Sequence, residues 1–264
     1  MKAMGWIAVL LMTGSLKLPA GETDPAAKPY LERMMAFYEK APIKMDFSAR
    51  MDIPGQDIKM KMRGDLTYLD GLHFRMDVKT EVRPPDRDEV HLDMIMVSDG
   101  TQFWSEVHRP EGPPIVTRIP ADILKEFHES MGMSAFMGGN AMDPAAMLEA
   151  MEKVMTIRLE EKRDGKVFLS GTLDPSAVEK MIANPMFGGY DGPGDFKFLF
   201  VLVEETVFPM EMTMVMDGKD FMVMTYGNEI TYIPKEALPT DTFTYTPPES
   251  AEIIEITREM LRGQ

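Results

Sequence analysis

Cysteine is absent from all 264 residues of this chain. Its absence excludes disulfides, thiolate metal sites and cysteine nucleophiles, and also the lipid-bearing cysteine that a bacterial lipoprotein needs after its signal. Stretches of about 20 apolar residues are missing too, so the sequence predicts no membrane-spanning helix. Basic residues number 28 against 43 acidic ones, and a net charge of −15 argues against binding to nucleic acid or anionic lipid surfaces.

Motifs for catalysis and cofactor binding are also missing. The four histidines form neither a His-x-x-x-His pair nor a Glu-x-x-His motif, so we expect no metal site. Ser170 lies in a strand pattern rather than a Gly-x-Ser-x-Gly elbow, and the adjacent Glu204 and Glu205 point to opposite faces of a strand. Gly188 to Asp195 fits no phosphate-binding pattern and lacks the acidic spacing of a calcium loop. We therefore expect no catalytic residue and no cofactor.

The N-terminus is typical of a secretory signal. Lys2 supplies a positive charge, Gly5 to Leu16 is mostly apolar, and Ala20 offers a small residue for cleavage. We expect residues 1–20 to be removed, and residues 21–264 to form one soluble domain in the periplasm. That domain is expected to be a monomer without a lipid anchor and not an enzyme.

Apolar and polar residues alternate with period two along most of the remaining chain. In Ile58 to Arg63, for example, Ile58, Met60 and Met62 alternate with basic residues. This pattern predicts a long antiparallel sheet with one apolar face, joined by turns such as Asp217-Gly218. The predicted strands are Ile43–Ile53, Ile58–Tyr68, His73–Val82, Val90–Val97, Gln102–His108, Thr156–Lys162, Val167–Leu173, Phe196–Val207, Met210–Met216 and Phe221–Tyr232.

Helical patterns occupy the segments between groups of strands. The predicted helices are Pro29–Lys40, Ala121–Ser130, Pro144–Met155 and Pro175–Ala183. The fold class is therefore α+β, an open antiparallel sheet that curls over helices from one side. Since Leu199, Val201 and Val203 make one strand apolar on both sides, we expect that strand to be covered on both faces.

Methionine supplies 28 of the 264 residues, and many of them fall on the apolar side of the strands. Flexible, polarizable thioethers suit surfaces that accept varied apolar partners. The alternative is an ordinary core in which methionine replaces leucine and isoleucine. An uncharged segment, Met131 to Met142, would be costly to leave in water. We expect it either to pack against the apolar face or to act as a movable lid over it, through Met131, Met133, Phe136 and Met137.

Three segments resemble, in order, the LolA-like outer-membrane lipoprotein carriers, including the related lipoprotein-acceptor and mycobacterial lipid-transport branches. They are Gly64 to Tyr68 leading to Phe74-Arg75-Met76, Met96 to Trp104, and Phe243 to Pro248 followed by Ile253-Ile254. The last is similar to the family's closing strand and paired prolines. The middle of the chain, residues 121–155, looks expanded relative to that family. The chain also departs from it at Leu69-Asp70-Gly71, where the carriers often have an arginine before a proline.

This resemblance implies a half-open barrel whose concave apolar face receives acyl chains and is shielded by helices. The implied partners are lipoprotein acyl chains or lipid, an inner-membrane transporter and an outer-membrane acceptor. Burying a long acyl chain could supply on the order of 10 kcal/mol before ordering costs. The candidate ligand-binding residues are Met60, Met62, Phe74, Met76, Met94, Met96, Trp104, Phe198, Phe200, Met212 and Met214.

Each of these residues could instead belong to a dry core, and Trp104 could pack across its hairpin rather than lie at the lip of a pocket. The leading hypothesis is a periplasmic carrier or binder of lipid or lipoprotein acyl chains. One alternative is an envelope-stress sensor or regulatory interaction domain on the same scaffold. The other is a purely structural domain whose methionines are all core.

Overall fold

The structure is a computed structural model that describes residues 23–38, 42–53, 57–130, 152–182, 195–227 and 231–262. Where apolar and polar residues alternate with period two, most of the chain forms strands. Within these ranges the strands of the first half are β1 (Ile43–Ile53), β2 (Ile58–Asp70), β3 (His73–Arg83), β4 (Val90–Asp99), β5 (Gln102–His108) and β6 (Ile115–Pro120). Those of the second half are β7 (Met155–Arg163), β8 (Lys166–Leu173), β9 (Phe196–Val203), β10 (Pro209–Met216), β11 (Lys219–Tyr226), β12 (Thr231–Tyr232) and β13 (Glu252–Glu255).

All of these strands belong to one sheet, in the order β13-β6-β5-β4-β3-β2-β1-β11-β10-β9-β8-β7, with β12 paired to β1. Neighbours are antiparallel except β13 and β6. The two halves of the chain meet where β1 pairs with β11, with Met51 opposite Met222. Because β7 and β13 remain at separate edges, the sheet is an open half-barrel. The predicted α+β fold class is confirmed.

Four α-helices lie within the described ranges, besides a helical stretch at residues 152–154 and a 3-10 turn at Lys235–Ala237. They are α1 (Lys28–Tyr38), α2 (Ala121–Ser130), α3 (Pro175–Ile182) and α4 (Arg258–Arg262). The amide of Asp24 donates to the carbonyl of Ile157 at 2.8 Å, which ties the segment before α1 to β7. The Arg33 guanidinium donates to the carbonyls of Glu204 and Glu205 at 3.3 and 2.6 Å, which anchors α1 over the turn between β9 and β10.

Most predicted elements lie within two residues of the observed ones, but five predictions were wrong. The strand predicted from Phe221 to Tyr232 ends at Tyr226, and Thr231–Tyr232 is the separate strand β12. β6 was missed, and the strand predicted to reach Val207 ends at Val203, since Val207 adopts a φ of 53° in the following turn. Residues Phe243 to Pro248 form turns and irregular chain, while the terminal strand is β13. Leu199 was expected to be covered and is 38% exposed.

Several predictions fall outside the described residues. These are the signal sequence, the lid at Met131 to Met142, and the glycine-rich segment up to Gly194. The helix predicted at Pro144–Met155 can be compared only at its end, where residues 152–154 are helical and Met155 begins β7. In the part of the chain that is described, no helix is long and apolar enough to cross a bilayer.

Candidate ligand-binding face

One side of the sheet is apolar across strands from both halves of the chain. Met214, Met222, Met51 and Met60 lie side by side on β10, β11, β1 and β2. Side chains directly opposite one another on adjacent strands have Cβ atoms about 5 Å apart, so these thioethers form a continuous surface. We call this surface the methionine face; it comprises Met45, Phe47, Ala49, Met51, Ile58, Met60, Met62, Leu66, Phe74, Met76, Val78, Met94, Met96, Phe198, Phe200, Met212, Met214, Met222, Met224 and Tyr226.

Ten of the eleven predicted ligand-binding residues lie on the methionine face. Six of them are buried, and these are Met60, Met62, Phe74, Met94, Phe198 and Phe200. The other four, Met76, Met96, Met212 and Met214, are partly buried against the same cluster. Met76 lies directly opposite Met96, and Met212 lies opposite Met224, which is also partly buried. The accessible thioethers therefore form two groups, one on β3 and β4 and one on β10 and β11.

Helices α1 and α3 cover part of this surface. Tyr30, Leu31 and Met34 of α1 are buried in the same apolar cluster as the methionine face, as is Ala177 of α3. The Lys162 ammonium lies 4.8 Å from the centre of the Tyr30 ring, at the β7 edge. The helices therefore contact the methionine face through apolar side chains. Such contacts require no directional hydrogen bonds.

Gly64 and two aromatic residues shape the centre of the methionine face. A Cβ atom at Gly64 would lie 2.5 Å from the carbonyl oxygen of Asp77 and 3.0 Å from the Phe47 ring, so only glycine fits beneath that ring. Tyr226 lies opposite Phe47 and packs edge-on against Phe208, with ring centres 5.8 Å apart. Burial raises the pKa of Tyr226 to about 12.

Trp104 lies on the other face of the sheet. Its neighbours across the strands are Val97 and Arg118, whereas the adjacent residue Phe103 points to the methionine face. The Trp104 ring packs against Tyr245 with centres 5.4 Å apart, and the Arg118 guanidinium lies 5.4 Å from the Trp104 ring centre. Trp104 is therefore removed from the set of candidate ligand contacts.

Near Trp104, the C-terminal segment packs on the face of the sheet opposite the methionine face. The Tyr245 hydroxyl donates to one carboxylate oxygen of Glu106, and the other oxygen contacts Nε2 of His108. Glu106 is only 3% exposed. Burial, with the hydrogen bond and charge of Glu106, raises the pKa of Tyr245. We call Trp104, Glu106, His108, Arg118 and Tyr245 the Tyr245 cluster.

The sequence did not reveal the Tyr245 cluster. Glu106 sits at a polar position in its strand pattern, and such a residue usually faces solvent. Its burial depends on Tyr245, which is 139 residues away in the chain. A strand pattern describes only the alternation of side chains, so it contains no signal for this long-range cover.

A groove with a volume of about 610 Å³ crosses β11, β1, β2, β3, β4 and the end of β5. Most of its lining residues project from the face opposite the methionine face, including Arg63, Asp65, Lys79 and Asp93. Apolar groups, among them Met94 and Ile95, line this groove together with these charged side chains. Among the described residues, no group of three or more histidine, aspartate or glutamate side chains could hold a metal ion.

Comparison with known proteins identifies similar structures but no matching sequence family. No family model matches the chain, and none of the curated proteins compared with it matches. LprF from Mycobacterium bovis is 16% identical over 82% of this chain and all of its own, with a TM-score of 0.48. The LolA superfamily protein NE2245 from Nitrosomonas europaea is 13% identical, over 83% of this chain and 97% of its own, with a TM-score of 0.35.

The Pseudomonas aeruginosa MucA/MucB complex contains a chain 10% identical to this one, with a TM-score of 0.35. The match spans 80% of this chain and 59% of that chain. Structures similar to this protein thus include a LolA superfamily member. Identities this low do not show a shared ligand or partner.

Proposed function

We propose that this protein is a periplasmic carrier or binder of lipid or lipoprotein acyl chains, which lie on the methionine face. The observation that supports this most is the pairing of partly buried methionines across strands, Met76 with Met96 and Met212 with Met224. A fully packed core would bury these side chains as completely as it buries Met51, which is 1% exposed. Thioether walls can adapt to guests of different shapes.

The energetics of this surface suit an uncharged acyl chain. Each buried methylene contributes roughly 0.8 kcal/mol, so affinity can come from apolar contact without a charged group. Such binding is reversible when the cover consists of apolar contacts, as between the methionine face and Leu31 or Met34 of α1. In this proposal the lid at Met131 to Met142 and the helices move to admit and release the guest.

The direct test begins with native mass spectrometry of the protein purified from its own host, together with uptake of an apolar fluorescent dye. We expect bound lipid mass or dye uptake. A protein that carries no lipid and takes up no dye would overturn the proposal. A pull-down that yields one stoichiometric membrane protein without lipid would instead favour the regulatory interaction domain.

A pair of variants one residue apart tests the face itself. Met96→Lys places a charge on the methionine face, and Ile95→Lys places the same charge on the opposite face, opposite Asp77 and Glu106. Because burial of an unpaired charge is costly, Met96→Lys should weaken dye binding by roughly tenfold or more. Ile95→Lys should leave it unchanged. Met96→Gln serves as a milder variant, and circular dichroism confirms that each variant folds. Equal loss in both lysine variants would contradict the assignment of the face.

A further inference from the structure

Thr80 is a buried polar residue on the side of the sheet that carries the methionine face. It is 2% exposed, and its hydroxyl has no hydrogen-bond partner among the described residues. Its neighbours across the strands are Met62 and Leu92, and Val78 and Val82 lie two residues away on the same face of β3. These four side chains are apolar, so none of them offers the hydroxyl an acceptor.

Other buried hydroxyls in the described chain are satisfied. Ser98 donates to the carbonyl of Leu72 at 2.5 Å, and Thr213 donates to the Glu211 carboxylate at 3.2 Å. Ser170 donates to Glu160. An unpaired buried hydroxyl costs about 1–3 kcal/mol, and valine would fill the same space without that cost. Thr80 is therefore an exception that the described part of the chain does not explain.

A trapped water is a poor partner for Thr80. A buried water needs two to four polar groups to hold it, and the four neighbouring side chains in the sheet are apolar. A partner that brings its own polar atom and is otherwise apolar would fit better. The carbonyl of an acyl ester or amide has these properties, since its oxygen accepts one hydrogen bond and its chain packs on the methionines.

We propose that Thr80 donates a hydrogen bond to the carbonyl oxygen of a bound acyl ester or amide, and so selects carbonyl-bearing lipids over plain hydrocarbon. This inference rests on the proposed function and defines the ligand class of the same face. Thr80 lies three residues from Arg83, the last residue of β3, or about 10 Å. In the other direction the pair Met76 and Met96 is about 13 Å away, where an acyl chain can lie.

The test compares two probes of equal chain length, methyl palmitate and hexadecane, both delivered from cyclodextrin in a dye-displacement assay. Thr80→Val replaces the hydroxyl with a methyl group of similar size. We expect it to weaken methyl palmitate binding roughly threefold to tenfold, as for the loss of one neutral hydrogen bond. Hexadecane affinity should change less than twofold. The melting temperature of the free variant should rise, because the unpaired hydroxyl is gone.

Three control variants test whether the effect comes from the Thr80 hydroxyl. Thr80→Ser retains a hydroxyl and should keep the preference for the ester. Thr80→Ala differs from the serine variant by one heavy atom, the hydroxyl oxygen, and should lose this preference. Thr213→Val removes a buried hydroxyl on the opposite face and should leave the preference intact. If both probes bind and Thr80→Val affects them equally, this inference is wrong while the proposed function stands. If neither probe binds the unaltered protein, both are wrong.

Discussion

The methionine face and the Tyr245 cluster lie on opposite sides of the same sheet and are held together in different ways. On the methionine face, contacts are apolar and side chains such as Met76 and Met96 remain partly exposed. In the Tyr245 cluster, a buried carboxylate, Glu106, binds a hydroxyl and an imidazole at once. Apolar contacts tolerate rearrangement, whereas hydrogen bonds to a buried charge require one geometry. The methionine face is thus suited to exchanging binding partners, whereas the Tyr245 cluster holds the C-terminal segment against the sheet.

The largest effect should come from emptying the fully buried part of the methionine face. Phe74 is 0% exposed, and its ring centre lies 6.0 Å from that of Phe103. Phe74→Ala should lower the free energy of unfolding by about 3–5 kcal/mol, measured by urea denaturation. Leu72→Ala, at a residue 44% exposed in the preceding turn, is the control and should change it by less than about 0.5 kcal/mol. Equal effects would show that Phe74 is not part of a packed core.

Alkaline pH should act on the methionine face through Tyr226. Its pKa is raised to about 12 by burial, against about 10 in the unfolded chain. The unfolded state therefore ionises first, so stability is complete below pH 10 and falls as the pH rises towards 12. The loss at pH 12 is about 2–3 kcal/mol. Tyr226→Phe should reduce this loss when unfolding is followed between pH 9 and 12. An unchanged pH profile would place the Tyr226 hydroxyl in water.

A smaller loss is expected when one bond of the Tyr245 cluster is removed. Tyr245→Phe keeps the ring against Trp104 but leaves Glu106 with His108 as its remaining partner in the cluster. The free energy of unfolding should fall by about 1–3 kcal/mol in urea denaturation, because a buried carboxylate oxygen loses its donor. Dye binding on the methionine face should stay constant. A loss of dye binding in this variant would mean that the two sides are coupled.

The smallest effect should follow an exchange of similar side chains on the methionine face. Met76→Leu conserves volume and should cost less than about 1.5 kcal/mol in the same denaturation assay. Met76→Leu should change the affinity for an apolar dye less than Met96→Lys does, because a leucine side chain still excludes water. If Met76→Leu abolished binding, the thioether itself, rather than an apolar wall, would be required.

Local pattern was enough to predict the strands that alternate regularly. Strand β5 and helix α2 have the predicted boundaries, and β1 does too. Ten of the proposed contacts fall on one face, because the pairing register keeps side chains of equal parity together. The pattern was less informative for β5 itself, where Phe103 and Trp104 are adjacent and both large. Only the pairing with β4 shows that Phe103 faces inward.

Segments whose environment depends on distant residues could not be predicted. Strand β6 is six residues long, and one of its two partners, β13, comes from the far end of the chain. The burial of Glu106 and the exposure of Leu199 both depend on what covers the outer face. A local sequence window contains no information about such cover.

The sequence by itself determined that this protein is a sheet with one apolar, methionine-rich side, because side chains alternate across a strand with period two. The tertiary structure alone decided which strands adjoin, and so brought Met51 beside Met222. It also placed Thr80 among apolar neighbours, where its hydroxyl has no hydrogen-bond partner in the described part of the chain. The physical reason is that strand order and burial arise from contacts between residues far apart in the chain, whereas alternation arises from the geometry of each strand.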